Sequence, residues 1–267
     1  MSTLRAVKTL FSLFTVLPVN ADSNDVYELS RKFWLLPLIG AFFGFIAGSM
    51  LLILNNVFPP LVSSTIVLAT LHGTNRFLHI DGLIDFGDGV ITVGSKDDKI
   101  RAMKDVRAGT GGIIHAILFT LLVVTSLSSL PFYLLFLAPF ATEVLSRNSM
   151  VACAAIGKPR DEGIGSIFVK NTKYKSLILS IILSTALIYV AGYLTGIFNI
   201  FSNVEFVIIF LLLIFSSCLA GIVMAEIAMK NFECVTGDVL GATNEIARSV
   251  ILLIILVVVE CLKLMQL

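Results

Sequence analysis

Residues 206–229 read Phe-Val-Ile-Ile-Phe-Leu-Leu-Leu-Ile-Phe-Ser-Ser-Cys-Leu-Ala-Gly-Ile-Val-Met-Ala-Glu-Ile-Ala-Met, with Glu226 as the one charged side chain. At about 1.5 Å per helical residue such a run crosses a hydrocarbon core of about 30 Å. Six further apolar stretches occupy residues 33–57, 61–78, 112–127, 132–156, 177–197 and 239–259. The chain is 57% hydrophobic and 14% charged, with mean hydropathy +0.97, whereas soluble domains carry about a quarter charged residues. The expected fold is therefore all-α: one polytopic integral membrane helical bundle over residues 1–267, with about seven transmembrane helices. Residues 5–19 are short and amphipathic and end at Leu17-Pro18 rather than at a small-residue cleavage site. They read as an N-terminal interfacial helix on the cytoplasmic leaflet, not as a signal peptide.

Lys and Arg set the orientation, because cytoplasmic loops retain positive charge. Arg5, Lys8, Arg31 and Lys32 precede the first span, Lys96, Lys99, Arg101, Lys104 and Arg107 follow the second, and Lys158, Arg160, Lys170, Lys173 and Lys175 follow the fourth. The turns at 58–60, 128–131 and 198–205 have none. The alternation puts the protein in the cell membrane, with its N-terminus cytoplasmic and its C-terminus outside. A net charge of +1 argues against nucleic acid as a partner, leaving the lipid bilayer and small molecules. Cys153, Cys218, Cys234 and Cys261 are widely spaced and suggest neither a disulfide framework nor a zinc site. No internal repeat of fixed period stands out, which weakens an inverted-repeat transporter reading.

The polar residues concentrate at the cytoplasmic edge, in two loops at about 79–111 and 157–176. In His79-Ile80-Asp81-Gly82-Leu83-Ile84-Asp85-Phe86-Gly87-Asp88-Gly89, helical spacing puts Asp81, Asp85 and Asp88 on one face. Such carboxylates repel unless a divalent cation or a proton compensates them, and Mg²⁺ prefers a few carboxylates together with substrate phosphates. Asp81, Asp85 and Asp88 are thus the candidate metal ligands, and Gly82, Gly87 and Gly89 would let a phosphate ester approach the backbone. Lys104, Arg107, Arg147 and Lys170 are candidates for neutralising phosphate oxygens. Asp105 or Asp81 would accept the proton of an attacking hydroxyl. Asp238, Glu245 and Arg248 begin the last span and belong to the same cavity. Glu143 and Arg147 form an i, i+4 pair whose depth in the membrane also fits a site role. His72, Asn75 and Arg76 either bond one another between helices or meet substrate. His79 falls on another face than the acids and reads as a hydrogen-bonding residue beside the cavity. Asp97 and Asp98 read as a solvated face.

The blocks His79-x-Asp81-Gly82-Leu83-x-Asp85-x-x-Asp88-Gly89, Met103-Lys104-Asp105-x-Arg107-x-Gly109-Thr110-x-Gly112, Glu162-Gly163-x-Gly165 and Thr236-Gly237-Asp238-x-Leu240-Gly241-Ala242 occur in that order. With Arg147 and Glu245 in matching places, this pattern resembles the cobalamin synthase family, the adenosylcobinamide-GDP ribazoletransferases. Thr74-Asn75-Arg76-Phe77-Leu78 departs from it by being bulkier and more charged than the small residues expected there. The resemblance implies an Mg²⁺-dependent enzyme of the last stage of cobalamin nucleotide-loop assembly. It would join adenosylcobinamide-GDP to alpha-ribazole, or to alpha-ribazole 5′-phosphate, giving adenosylcobalamin, or its phosphate, plus GMP. It also implies metal and phosphate binding by Asp81, Asp85 and Asp88, Asp105 and Asp238 as further acidic members, and phosphate contacts from Lys104 and Arg107. Self-association and association with other enzymes of the pathway both stay open. Two other readings stand beside it. Asp85-x-x-Asp88-Gly89 matches the start of a CDP-alcohol phosphotransferase motif, although Thr92-Val93 then breaks the match, and an acidic cluster also serves cation-coupled transporters.

Overall fold

The apolar stretches become helices in the computed structural model, which describes residues 3–17, 22–160, 162–200 and 202–265. In chain order they are α1 (Thr3–Phe14), α2 (Ser23–Ser30), α3 (Leu36–Leu54), α4 (Pro60–Thr74), α5 (Leu78–Ile91), α6 (Lys96–Met103), α7 (Thr110–Ser128), α8 (Leu137–Ile156), α9 (Ile164–Asn171), α10 (Tyr174–Leu194), α11 (Asn203–Phe232) and α12 (Gly237–Met265). Among the described residues there is no β-strand, only an isolated bridge between Pro159 and Val235. Four segments, Phe33–Leu54, Thr110–Ser128, Tyr174–Leu194 and Val204–Phe232, are long and apolar enough to cross a membrane. The fold is thus a helical membrane bundle. Of the other three expected spans, the second appears as α4, which at 15 residues is short for a crossing.

α8 is the axis of the bundle. Every residue from Leu137 to Ala154 is buried, because α3, α10, α11 and α12 all pack on it. That enclosure lets α8 carry Glu143, Arg147 and Asn148 in the interior of the bundle, away from lipid, which would not tolerate them. Its seam with α3 is built from small residues. Gly40, Gly44 and Gly48 recur every fourth position, and a Cβ on them would lie 2.5 Å from Glu143 O, 2.7 Å from Phe140 Cα and 2.7 Å from Phe136 O. Lipid tails are as apolar as leucine, so helices in a membrane gain by close approach rather than by hydrophobic burial, and glycines permit it. Replacing Gly44 by Leu should push α3 off α8 at a cost of about 1–3 kcal/mol, seen as a lower unfolding temperature in detergent. An unchanged melting curve would refute the seam. On the opposite side Asn148 bridges two helices: its Nδ2 donates to Ser217 Oγ of α11 at 3.0 Å, and its Oδ1 accepts from Ser180 Oγ of α10 at 2.7 Å.

Two local features depart from a plain bundle. α1 forms within the stretch expected to lie on the leaflet, but its stripe of Ala6, Leu10 and Phe14 is buried by the protein itself, with α2 and α3 as its neighbours and Arg5 paired to Asp25 at 2.6 Å. Pro18 and Val19 of that stretch lie outside the described residues. The expected second span, 61–78, ends early. α4 stops at Thr74, and Arg76 (φ 57°) and Phe77 (φ 59°) adopt left-handed backbone, a geometry that ends helices and is unusual for a ring as large as Phe. α5 starts afresh beyond this break and packs on α12 and α7 at the charged end of the bundle.

Candidate functional site

The four sequence blocks meet at that end. Gly82 of α5 faces the first turn of α12, where a Cβ would lie 2.8 Å from Asp238 O. Gly87 faces α7, with a Cβ 3.0 Å from Gly112 Cα. Gly165 at the start of α9 abuts Gly237 (Cβ to Cα, 2.5 Å), and Val235 N–H donates to Lys158 O at 2.8 Å. Gly82 and Gly87, expected to let a ligand approach, serve to let helices approach.

Within this junction the three carboxylates of α5 have different surroundings. Asp88 is buried and caps α7: Oδ2 accepts from Gly109 N–H at 2.7 Å and Oδ1 from Gly112 N–H at 2.8 Å. An anion at a helix N-terminus is stabilised by the free amides and the dipole. Asp81 is exposed and Asp85 half-buried. Asp238, on the first turn of α12, accepts a hydrogen bond from Thr236 Oγ1 at 3.3 Å, its one side-chain partner among the described residues. Burial first, then the charges of Asp81, Asp238 and Asp88, push the Asp85 carboxyl up to about 7. Burial likewise raises Asp238, with Thr236 and Lys104 opposing and Asp81 adding to the rise. Asp81, Asp85, Asp238 and Lys104 thus share one mouth with an excess of negative charge. Among the described residues no three His, Cys, Asp or Glu side chains converge tightly enough to enclose an ion. A cation held here would need ligand oxygens to complete its shell, as Mg²⁺ does when it takes one or two carboxylates plus phosphate.

A pH dependence follows. Between about 4 and 7 the folded state holds a proton on Asp85 that the unfolded chain, near 3.8, has released, so stability should fall as pH rises through that window and level off above it. Melting temperatures in metal-free buffer should show this decline, and Asp85→Asn should flatten it. A wild-type profile as flat as the variant's would remove the proposed crowding of charge.

The remaining candidates divide into three groups. Asp105 and Arg107 are exposed on the loop between α6 and α7 and hold each other: Arg107 Nε and Nη2 donate to Asp105 Oδ1 and Oδ2 at 3.2 and 3.1 Å. Arg107 in consequence holds the Asp105 carboxyl below its ordinary range, chiefly by side-chain hydrogen bonding, which makes Asp105 a weaker base. Lys170 is exposed on the last turn of α9. His79, Arg147 and Glu245 lie deeper, in a buried ionic layer that also contains Glu143 and Arg248. Arg248 Nε donates to Glu143 Oε1 at 2.6 Å and its Nη2 to Oε2 at 3.1 Å, Arg147 Nη1 donates to Glu143 Oε2, and Arg248 Nη1 pairs with Glu245. The pairing of Glu143 with Arg248 joins residues 105 positions apart. No local spacing signals it, and the i, i+4 partner Arg147 masks it.

Comparison with known proteins gives a consistent picture. The family model described as cobalamin-5-phosphate synthase matches residues 6–256. Among curated proteins, the adenosylcobinamide-GDP ribazoletransferase of Pyrococcus furiosus is 32% identical over 93% of this chain and 98% of its own length. That of Thermococcus kodakarensis is 32% identical over 91% and 94%, and that of Methanococcoides burtonii 27% over 97% and 94%. No solved structure matches the chain.

Proposed function

The chain belongs to the cobalamin-5-phosphate synthase family, and from that membership we propose that it is an adenosylcobinamide-GDP ribazoletransferase. A hydroxyl of alpha-ribazole, or of its 5′-phosphate, attacks the corrinoid-side phosphorus of adenosylcobinamide-GDP. The new O–P bond forms as the bond to GMP breaks, and the hydroxyl proton passes to a carboxylate. The products are adenosylcobalamin, or its phosphate, and GMP. The reading rests most heavily on the family match over residues 6–256, and the mouth where Asp81, Asp85 and Asp238 gather beside Lys104 is the place it assigns to the chemistry.

In this reading Asp85 and Asp238 would hold Mg²⁺ together with the substrate phosphates, leaving Asp81 free, and Asp88 fixes α7 against α5 so that the mouth keeps its shape. Bound Mg²⁺ supplies charge neutralisation at phosphate oxygens, the main requirement of phosphoryl transfer. Lys104 and Arg107 orient the diphosphate. Asp81, exposed and without a hydrogen-bond partner among the described residues, suits proton acceptance better than Asp105, whose charge Arg107 already occupies. The mouth opens to the cytoplasm of a cell-membrane protein, in keeping with the basic loops at that end.

The test is purified protein in liposomes with Mg²⁺, adenosylcobinamide-GDP and either acceptor, followed by chromatography. Corrinoid product and GMP should appear in equal amounts and vanish on chelation. Absence of both from demonstrably folded protein would overturn the proposal.

A further inference from the structure

The two basic loops are balanced differently. In the first, Lys96 pairs with Glu233, Arg101 with Asp98 and Arg107 with Asp105, and Lys99 donates to Asn231 Oδ1 at 2.7 Å. Where the second joins α9 to α10, Lys170, Lys173 and Lys175 are all exposed, and none has a hydrogen-bond or ion-pair partner among the described residues. Neither α9 nor α10 contains a carboxylate, and those of α2 are engaged, Asp25 by Arg5 at 2.6 Å and Glu28 by Arg31 at 3.9 Å.

Two contacts bring further cations to this segment. Asn171 Nδ2, between Lys170 and Lys173, donates to Ser30 Oγ at 2.8 Å, and the Phe168 ring packs on that of Phe33 with centroids 4.8 Å apart. Arg31 and Lys32 lie between Ser30 and Phe33, so basic residues from segments 141 positions apart meet at one junction. Its level in the membrane is fixed. The spans Phe33–Leu54 and Tyr174–Leu194 both start here, and the turn Phe33–Leu35 packs on α10. Their 22 and 21 residues, at about 1.5 Å each, just cross a core of about 30 Å, so the cations beside Phe33 and Tyr174 fall in the headgroup layer. Tyr174 is exposed, as the amphipathic rings of that layer are, and Ile178 and Ile182 continue its face of α10, exposed towards the acyl chains. Basic residues clustered directly beyond a span attract acidic lipid, whose surface potential acts within a Debye length of about 10 Å.

We propose that Lys170, Lys173 and Lys175, with Arg31 and Lys32, form a seat for the headgroup of an acidic phospholipid whose chains lie along Tyr174, Ile178 and Ile182. The seat gives Lys170 a partner in the membrane rather than in the reaction. It closes the far end of α9, whose first turn meets α12 at Gly237, and it stands whether or not the transferase reading does.

The experiment uses the full chain in an uncharged detergent. Phosphatidylglycerol added to the micelles should raise the unfolding temperature saturably, and phosphatidylcholine or inorganic phosphate at the same concentration should not. The triple variant Lys170→Gln, Lys173→Gln, Lys175→Gln should raise the half-saturating phosphatidylglycerol concentration at least tenfold. The triple variant Lys96→Gln, Lys99→Gln, Arg101→Gln, which removes as much charge from the other basic loop, should leave it within about twofold of the wild type. Asn171→Ala keeps every charge but releases α9 from Ser30, and should raise it severalfold. No rise in the wild type, an equal rise with phosphatidylcholine, or an unchanged half-saturation in the first triple variant overturns the seat. An equal loss in the two triple variants reduces it to bulk charge and overturns it as well. A rise with inorganic phosphate overturns the lipid as occupant. An unchanged half-saturation in Asn171→Ala overturns the joint between α2 and α9 as the device that assembles the seat.

Discussion

Asp85→Asn is expected to lower kcat by about 10²–10³-fold, the size of effect seen when one group that stabilises transition-state charge is removed, with folding and membrane insertion intact. Asp85 is half-buried with Asp81, Asp238 and Asp88 around it, and that company raises its carboxyl to about 7. The amide keeps the volume and removes the charge a cation would meet, so the variant should also lose its response to Mg²⁺. The solvated Asp97 is the control, since Asp97→Asn alters an exposed helix turn only. Cobalamin and GMP formation by both variants, at matched amounts of folded protein, decides the matter. Near-normal turnover by Asp85→Asn would take the acidic mouth out of the chemistry.

Glu143→Ala is expected to be the most damaging change to the fold. The side chain is 2% exposed and receives Arg147 and both edge nitrogens of Arg248. Its removal leaves two guanidinium groups facing each other with Glu245 as the remaining carboxylate, and breaking a buried ion pair this way costs about 3–5 kcal/mol. The yield of monodisperse protein from membranes should collapse, or the unfolding temperature should fall far more than in Glu143→Gln, which keeps an acceptor oxygen. Wild-type stability of Glu143→Ala would mean that the arginines are satisfied by other means.

The helices were legible because a hydrocarbon core demands unbroken apolar length, and residues 33–57 and 206–229 have it. Of the three Asp at helical spacing, Asp81 and Asp85 do face one mouth, while Asp88 turns away to cap α7 and Asp238 arrives from α12. What escaped notice depends on contacts between distant segments. Gly40, Gly44 and Gly48 carry a visible four-residue period, yet their partner surface on α8 has no sequence signature of its own. Asp88 looked equivalent to Asp81 and Asp85, and only the arrival of Gly109 and Gly112 makes it a cap. The stop at Thr74 was hidden because Phe77 and Leu78 prolong the apolar run, while the turn is made by backbone angles at Arg76 and Phe77 that bulky residues seldom take.

The enclosure of α8 also bears on how the chain is made. A nascent chain that has reached Ile156 carries Glu143 with Arg147 but lacks Arg248, which follows 105 residues after Glu143, and lacks α10, α11 and α12, which wall α8 off from lipid. Such a segment gains nothing by early release into the bilayer. Release into lipid is therefore expected to wait until its companions emerge, and a chain truncated before α12 should be degraded rather than accumulate as a partial enzyme.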